Sequence, residues 1–573
     1  MHFKVFGQRI SKIKMSYKKK YLMLLVLLFV FLLVVNNVFA AEPDRILSNS
    51  EDWRDVYSVI QYGALAGKTA SFLVSDRHAT LILNQISKGS HIWAVTSKDL
   101  PYITGYKSLL EGRGYTAEEF EYDNANLELA KLLEDVGSFI IIDDSYGYNA
   151  IAAAPYAAIT NSYVLFADEE NIREVDRFLS DKGADKILIY GQVDREVKNT
   201  LEKYNPEIIN KEGDRFLNNI EIVKKYQEIK YAKQVILTNG EFIEQEIMSG
   251  TQPVIFIGTN NVPDSVRDYI KDSKIEVGVL IGNELVGTAT FVRRQLGISV
   301  FVKFAQSARA PAGRISQVEA LDMYYLPVYT LNLEVDSVKY NKATNQLEVT
   351  LKNTEDQAIY FIGTYSLTAS DGSRQTVGDV GANFIDGNEL KTLVYDVDQM
   401  DEGGISVDIF IIYGESPGSL EKEIRKTMDV ETVRVLDECQ IQINGIALNT
   451  RNEQFYVNTE NTGSVDCYVD LELVDILIAS QKTTFSLENA AQLSSGQKKN
   501  LRIKAEGLEE EDADDNQKIK VRAYYGEREN SLVKILEGTF DVILKGIDYL
   551  FYGLLVVIAV LASLIVWKRY KKK

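Results

Sequence analysis

Lys186-Ile187-Leu188-Ile189-Tyr190-Gly191, followed by Val193, Val197, Leu201 and Tyr204, decides the fold class of the first half of the chain. Four consecutive apolar residues closed by glycine read as a strand buried on both faces. The i, i+4, i+8, i+11 spacing after them reads as one face of an amphipathic helix. The same alternation runs outward in both directions. Upstream lie Phe72-Leu73-Val74, Ile92-Trp93-Ala94-Val95, Phe139-Ile140-Ile141-Ile142 and Val164-Leu165-Phe166. Downstream lie Val235-Ile236-Leu237, Val254-Ile255-Phe256-Ile257 and Val277-Gly278-Val279-Leu280-Ile281. Strand–helix alternation predicts an α/β region with mostly parallel sheets over residues 70–326.

That region repeats. Val164-Leu165-Phe166-Ala167-Asp168, a helix and the Lys186–Gly191 strand are answered about 90 residues later by Val254–Gly258, a helix and Gly278–Gly282. A looser copy covers residues 50–135. Repeats of this length predict tandem small α/β modules.

From about Val328 the pattern changes to period-two alternation broken by Asn, Gly and Asp turns. Asn345-Gln346-Leu347-Glu348-Val349-Thr350-Leu351 is matched by Asn452-Glu453-Gln454-Phe455-Tyr456-Val457-Asn458, and Tyr413-Gly414-Glu415 by Tyr525-Gly526-Glu527. Two copies of about 110 residues with closely spaced strands predict two β-sandwiches of immunoglobulin-like architecture. The only cysteines, Cys439 and Cys467, fall in the second copy, where the first has Leu331 and Ile359. Those are core positions. A structural disulfide and two buried free thiols both fit them.

The ends carry targeting signals. Residues 1–20 hold seven cations and no acid, Tyr21 to Val35 is apolar, and Val38-Phe39-Ala40-Ala41 offers small residues for cleavage after Ala40. This is the pattern of a secretory signal peptide, with an uncleaved anchor as the alternative. Tyr549 to Trp567 is an uncharged run of membrane-spanning length, followed by Lys568, Arg569, Lys571, Lys572 and Lys573. Positive charge stays inside, so the expected topology is a single-pass membrane protein with an extracellular N-terminal ectodomain and a cytoplasmic C-terminus. The chain carries −19. With +7 in residues 1–40 and +4 in residues 546–573 set aside, the rest carries −30. Such a surface repels nucleic acid, which is not an expected partner.

The predicted organisation is a signal peptide over 1–40 and α/β modules over 41–135, 136–225 and 226–326. Sandwiches follow over 327–436 and 437–540, then a transmembrane helix over 549–567 and a basic tail over 568–573.

No catalytic constellation stands out. Three histidines, no His-x-x-x-His or Cys-x-x-Cys pair, no Gly-x-Ser-x-Gly elbow and no phosphate-binding Gly-rich loop give no metal, cofactor or catalytic residue to name. Four features are weighed. Asp143-Asp144-Ser145-Tyr146-Gly147 follows a buried strand, where α/β ligand sites lie, but a loop or helix cap explains it as well. His78 at a strand end reads as structural or exposed. The acidic run Glu509, Glu510, Glu511, Asp512, Asp514 and Asp515 reads as a solvated loop rather than a calcium site, because EF-hand spacing is missing. Arg293, Arg294, Lys303, Arg309 and Arg314 form a basic stretch that would meet an anionic polymer or simply face solvent.

The α/β repeats resemble the cell wall-binding repeat 2 family of envelope proteins. The resemblance rests on Asn149-Ala150-Ile151-Ala152-Ala153-Ala154-Pro155-Tyr156-Ala157-Ala158, Val164–Ala167, Lys186–Gly191, Gly213-Asp214-Arg215-Phe216 and, in the next copy, Ile236–Gly240, Val254–Ile257 and Leu280–Gly282. The sandwiches look like CARDB-type adhesion modules. These likenesses imply a non-enzymatic surface protein, an adhesin or S-layer-associated component, displaying α/β modules on a β-sandwich stalk. Its partner would be an envelope polymer or a neighbouring surface protein. A membrane-tethered solute-binding or hydrolytic α/β domain, with a pocket near Asp143, Asp144 and Asn239, is the first alternative. A purely structural stalk or lattice subunit is the second.

Overall fold

The computed structural model describes residues 42–303, 322–328, 330–400, 404–479 and 481–545. The predicted signal peptide, transmembrane helix and basic tail lie outside these residues. Within them no helix is long and apolar enough to cross a membrane.

Residues 45–303 build three four-stranded sheets. The first holds β1 (Arg45–Asn49), β2 (Thr69–Phe72), β3 (His91–Ser97) and β4 (Thr116–Tyr122) in the order β2-β1-β3-β4. The second holds β5 (Ser138–Ile142), β6 (Ser162–Phe166), β7 (Lys186–Tyr190) and β8 (Glu207–Ile209) in the order β6-β5-β7-β8. The third begins with β9 (Gln234–Thr238); the short β10 (Phe242–Ile243) after it lies outside the sheet and pairs antiparallel with Tyr324–Tyr325. The sheet is then completed by β11 (Val254–Phe256), β12 (Val277–Ile281) and β13 (Ser299–Lys303) in the order β11-β9-β12-β13. Every pairing in these sheets is parallel. The central strands are apolar on consecutive residues because helices cover both faces: Phe139 to Ile142 and Ile187 to Tyr190 are all buried.

The helix after the first strand of each module points at the same place. Helices Trp53–Leu65, Tyr148–Thr160 and Gln245–Met248 pack against one another, so the three modules share one core. The alanine-rich helix sits at its centre. Buried Ala150, Ala152, Ala153, Ala154 and Ala157 leave room for neighbours to come close. Tyr57 donates to Ala150 O at 3.1 Å. Gly250, at φ +64, approaches so tightly that a Cβ there would lie 2.6 Å from Ala158 Cβ. Helix Arg215–Ile229 crosses the boundary predicted at 225/226. It belongs with the third sheet, because Asn219 donates to Val254 O and accepts from the Phe256 amide on β11. Asn126 makes the same two bonds to Val164 and Phe166 on β6.

Each β domain is one curled eight-stranded sheet closing on its own core. The last strand, Lys422–Val433 or Lys534–Leu544, runs antiparallel to its predecessor and then pairs parallel with the first strand of its domain. The repeat extends to irregularities. The first strand is bulged between Val335 and Ser337 in one copy and between Ile443 and Gly445 in the other.

Cys439 and Cys467 are fully buried and joined as a disulfide, with Cα atoms 5.5 Å apart. Leu331 and Ile359 are buried at the matching places of the first copy. Closing this loop constrains the unfolded chain by about 3 kcal/mol. Mass spectrometry without reduction should find the bridge, and the double variant Cys439→Ala, Cys467→Ala should lose about that much stability. Two alkylatable thiols in native protein would contradict this.

Candidate functional site

The chemistry of this chain is concentrated where domains meet. Asp214 ends the turn after Gly213 and caps helix Arg215–Ile229, its Oδ1 accepting from the Phe216 and Leu217 amides at 2.9 Å. That cap orients Arg215, the first helical residue, out of its own module. Its guanidinium lies 3.9 Å over the Tyr148 ring. Nε stands 2.9 Å from Glu415 and Nη2 2.5 Å from Glu421, both in the first β domain. Arg215 and Glu421 are about 5% exposed. Burial works against the guanidinium's charge, but Glu415 and Glu421 outweigh it and hold the group protonated. Burial, with Glu421 and Asp214 nearby, pushes the Glu415 carboxyl up to about 8 against the pull of Arg215. Around this pair the main chain is stitched as well. Asn261 donates to Leu420 O and Glu421 O, Glu423 N donates to Asn260 Oδ1, and Ser416 Oγ donates to Asp214 Oδ2.

The second β domain docks on the same region. Arg195, at the start of the helix after β7, places Nη2 2.6 Å from Asp512 and Nη1 3.2 Å from Glu509. Lys482 lies 3.8 Å from Glu212. Both β domains therefore touch the segment from Arg195 to Arg215. They also touch each other. Lys391 Nζ, buried, donates to Phe384 O and to Glu472, and sits 4.0 Å over the Tyr524 ring. Arg522 reaches Glu472 at 3.4 Å. Burial is the main cause that raises Glu389 to about 8 and Asp470 to about 7, with neighbouring carboxylates adding to it.

Among the described residues this docking leaves three cavities of note. One of about 490 Å³ lies where the Glu212–Gly213 turn meets both β domains. One of about 970 Å³ lies between the β domains beside Glu389 and Phe485. One of about 190 Å³ lies at the C-terminal ends of β7 and β8, against Ala479 and Gln481 of the second β domain. Asp143, Asp144 and Asn239 line none of the three.

The residues singled out in the sequence fall as follows. Asp143 Oδ1 accepts from Ser145 N, and Asp144 pairs with Arg54 at 2.6 Å, so the loop after β5 is held as a turn. Leu326 covers it so closely that a Cβ on Gly147 would lie 2.4 Å away. Asn239 is buried and donates to Glu284. His78 is buried, accepts from Val74 N, and is lowered to about 4 by burial. Arg293 and Arg294 are exposed, whereas Lys303 pairs with Glu244 and Glu246; Arg309 and Arg314 lie outside the described residues. The acidic run is more than a solvated loop. Its Asp512 is buried and also accepts from the Ala479 and Glu509 amides. Among the described residues no group of three His, Cys, Asp or Glu is arranged to hold a metal. Sequence reasoning did not anticipate the interdomain role of Arg215, nor Lys391 and Glu472. The only trace was the Gly213-Asp214-Arg215-Phe216 motif and a charge where the other β copy has none.

No protein-family model and no curated protein sequence matches the chain. Among solved structures it is similar to red sea bream transglutaminase, at 15% identity and TM-score 0.13, over 38% of this chain and 32% of that one. It is similar to the periplasmic chaperone SfaE at 13% identity and TM-score 0.13, over 38% of this chain and 100% of that one. It is also similar to Escherichia coli alpha-2-macroglobulin activated by porcine elastase, at 9% identity and TM-score 0.14, over 39% of this chain and 24% of that one. Likenesses at this level carry no argument about fold or function.

Proposed function

We infer that the chain is a non-enzymatic envelope protein that presents three fused α/β modules, braced by two immunoglobulin-like domains, to a surface polymer or a neighbouring surface protein. One observation supports this over a solute-binding or hydrolytic domain. In open α/β sheets, ligands are taken at the C-terminal ends of the strands. In the second and third sheets the protein itself occupies much of that edge: Leu326 closes over Gly147, Glu421 O would lie 2.3 Å from a Cβ on Gly258, and Ala479 and Gln481 narrow the space at the ends of β7 and β8 to about 190 Å³. The first sheet and the outer faces of the modules are left for recognition. The resemblance to cell wall-binding repeats and the C-terminal apolar run agree with an anchored surface role. Repeated modules would bind through several weak contacts at once.

Purified protein incubated with isolated envelopes and envelope polymers across a salt series should bind at least one fraction. No retention by any fraction at low salt would leave the purely structural reading.

A further inference from the structure

The second β domain meets the modules at the same end from which its chain leaves. Its last strand, Lys534–Leu544, lies beside Lys518–Gly526, which lies beside Cys467–Ile478. Register sets which ends coincide. Lys518 pairs with Asp541, Val542 N donates to Gln517 O, and Leu477 N donates to Asn516 Oδ1. The turn after Ile478 and the end at Leu544 therefore share one side of the domain. That side is the one that docks. Arg195 donates to Gly507 O and pairs with Asp512, Asp512 accepts from the Ala479 amide, and Lys482 faces Glu212. Two strand spacings put the contact at Ala479 and the exit at Leu544 on the order of 10 Å apart.

The first β domain runs the opposite way beside it. Glu415 and Glu421, at one end, are on the modules. Glu348, whose partner Lys339 pairs with Glu431 near the other end, reaches Arg528 and Ser531 in the turn before Lys534. The two β domains thus form a hairpin with both open ends on the modules. The connection from Val433 to Cys439 is at the bend, away from them.

Lys545 is tied to the body. Its amide donates to Leu448 O at 2.7 Å, and its ammonium sits 4.6 Å over the Tyr456 ring. Ile543 and Leu544 before it are 67% and 53% exposed. The uncharged run begins at Tyr549. The intervening chain reaches at most ~14 Å, and the headgroup layer takes up ~5–8 Å of that. What remains is less than the diameter of one helix, about 10 Å.

We propose that this end is the membrane-facing surface of the protein. The α/β modules rest beside the lipid headgroups, next to the exit, and the bend between the β domains points away from the bilayer. This rests on reading Tyr549–Trp567 as a membrane anchor. The short tether enforces the contact, not charge, so a neutral phosphatidylcholine surface suffices for an acidic protein. The orientation narrows the proposed recognition to partners found next to the membrane.

Energy transfer to lipid tests it. The full chain, carrying a donor dye at Asn199→Cys or at Glu529→Cys, is reconstituted in phosphatidylcholine liposomes with a headgroup-labelled acceptor lipid. The bridged Cys439 and Cys467 take no label. Asn199 is exposed on the helix that begins at Arg195, and Glu529 is exposed in the turn at the far end of the second β domain. Strand Lys534–Leu544 alone, 11 residues at ~3.3 Å each, separates those ends by about 35 Å, so transfer from Asn199→Cys should be at least about twofold stronger. Flotation with the liposomes after a high-salt wash reports the anchor separately. A chain that floats but transfers equally from both positions, or more strongly from Glu529→Cys, overturns the orientation alone. A chain that does not float overturns it together with the anchor on which it rests.

Discussion

Arg215→Ala should undock the first β domain from the modules, at a loss of roughly 3–5 kcal/mol. The reason is what the substitution leaves behind. Glu415 and Glu421 converge on one guanidinium at 2.9 and 2.5 Å in a site almost closed to water. Without it two carboxyl groups face each other, desolvated and uncompensated. Arg215→Lys should recover little, because a single ammonium cannot serve two carboxylates and stack on Tyr148 at once. In a chain of several domains the effect is best read locally. Amide exchange at Asn261 and Glu423, both bonded across this contact, should speed up roughly 10²–10³-fold. Unchanged protection there would show that the pair does not hold the domains together.

Lys391→Met should cost about as much at the contact between the β domains, again roughly 3–5 kcal/mol at pH 8.5, and less at pH 6.5. The sign follows from the neighbours. Burial raises Glu389 to about 8 and Asp470 to about 7. The folded protein therefore holds protons that the unfolded chain releases. That contribution is complete below the ordinary carboxylate range and is lost as pH rises through 7 to 8. Glu415, at about 8, and Glu241, raised to about 7 chiefly by burial, act in the same sense. His78 acts the other way. Lowered to about 4, it weakens the fold only as pH falls below its ordinary value near 6.5. The interval between pH 8.5 and 6.5 thus isolates the carboxyl groups. The native protein should melt higher at pH 6.5 than at 8.5, and the double variant Glu389→Gln, Asp470→Asn should lose about half of that difference, Glu415 and Glu241 keeping the rest. A melting temperature that rises toward pH 8.5 would contradict the assignment.

Much of the architecture was legible in the sequence because its signals are local. A strand covered on both faces must be apolar on successive residues, so Phe139–Ile142 and Ile187–Tyr190 announce themselves. Repetition did the rest. The Gln346–Asn353 and Gln454–Asn461 strands keep their spacing down to the bulge in the strand before each. The junctions were not legible, because their partners are far apart in the chain. Arg215 was visible within a motif, but nothing near it names Glu415 or Glu421. One trace could have been followed: where the two β copies differ by a buried charge. Glu472 stands where the first copy has Thr364, and Asp470 where it has Ile362. Both lie at the contact between domains. The acidic run was misread for a related reason. It lies beyond the point where the copies fall out of step, and composition alone cannot distinguish five solvated acids from the one, Asp512, that accepts from two amides and from Arg195.

The central claim is that modules and β domains form one closed body rather than beads on a stalk. Zero-length carbodiimide cross-linking of the dilute full chain, read by mass spectrometry, tests it at a single accessible pair. Lys482 and Glu212 belong to different domains and stand 3.8 Å apart, both largely exposed. An intramolecular Lys482–Glu212 amide should be among the first cross-links to form, and Arg195→Ala, which removes the neighbouring pair to Asp512 of the same β domain, should reduce it. Cross-links confined within domains, with Lys482 never joined to Glu212, would contradict the closed arrangement.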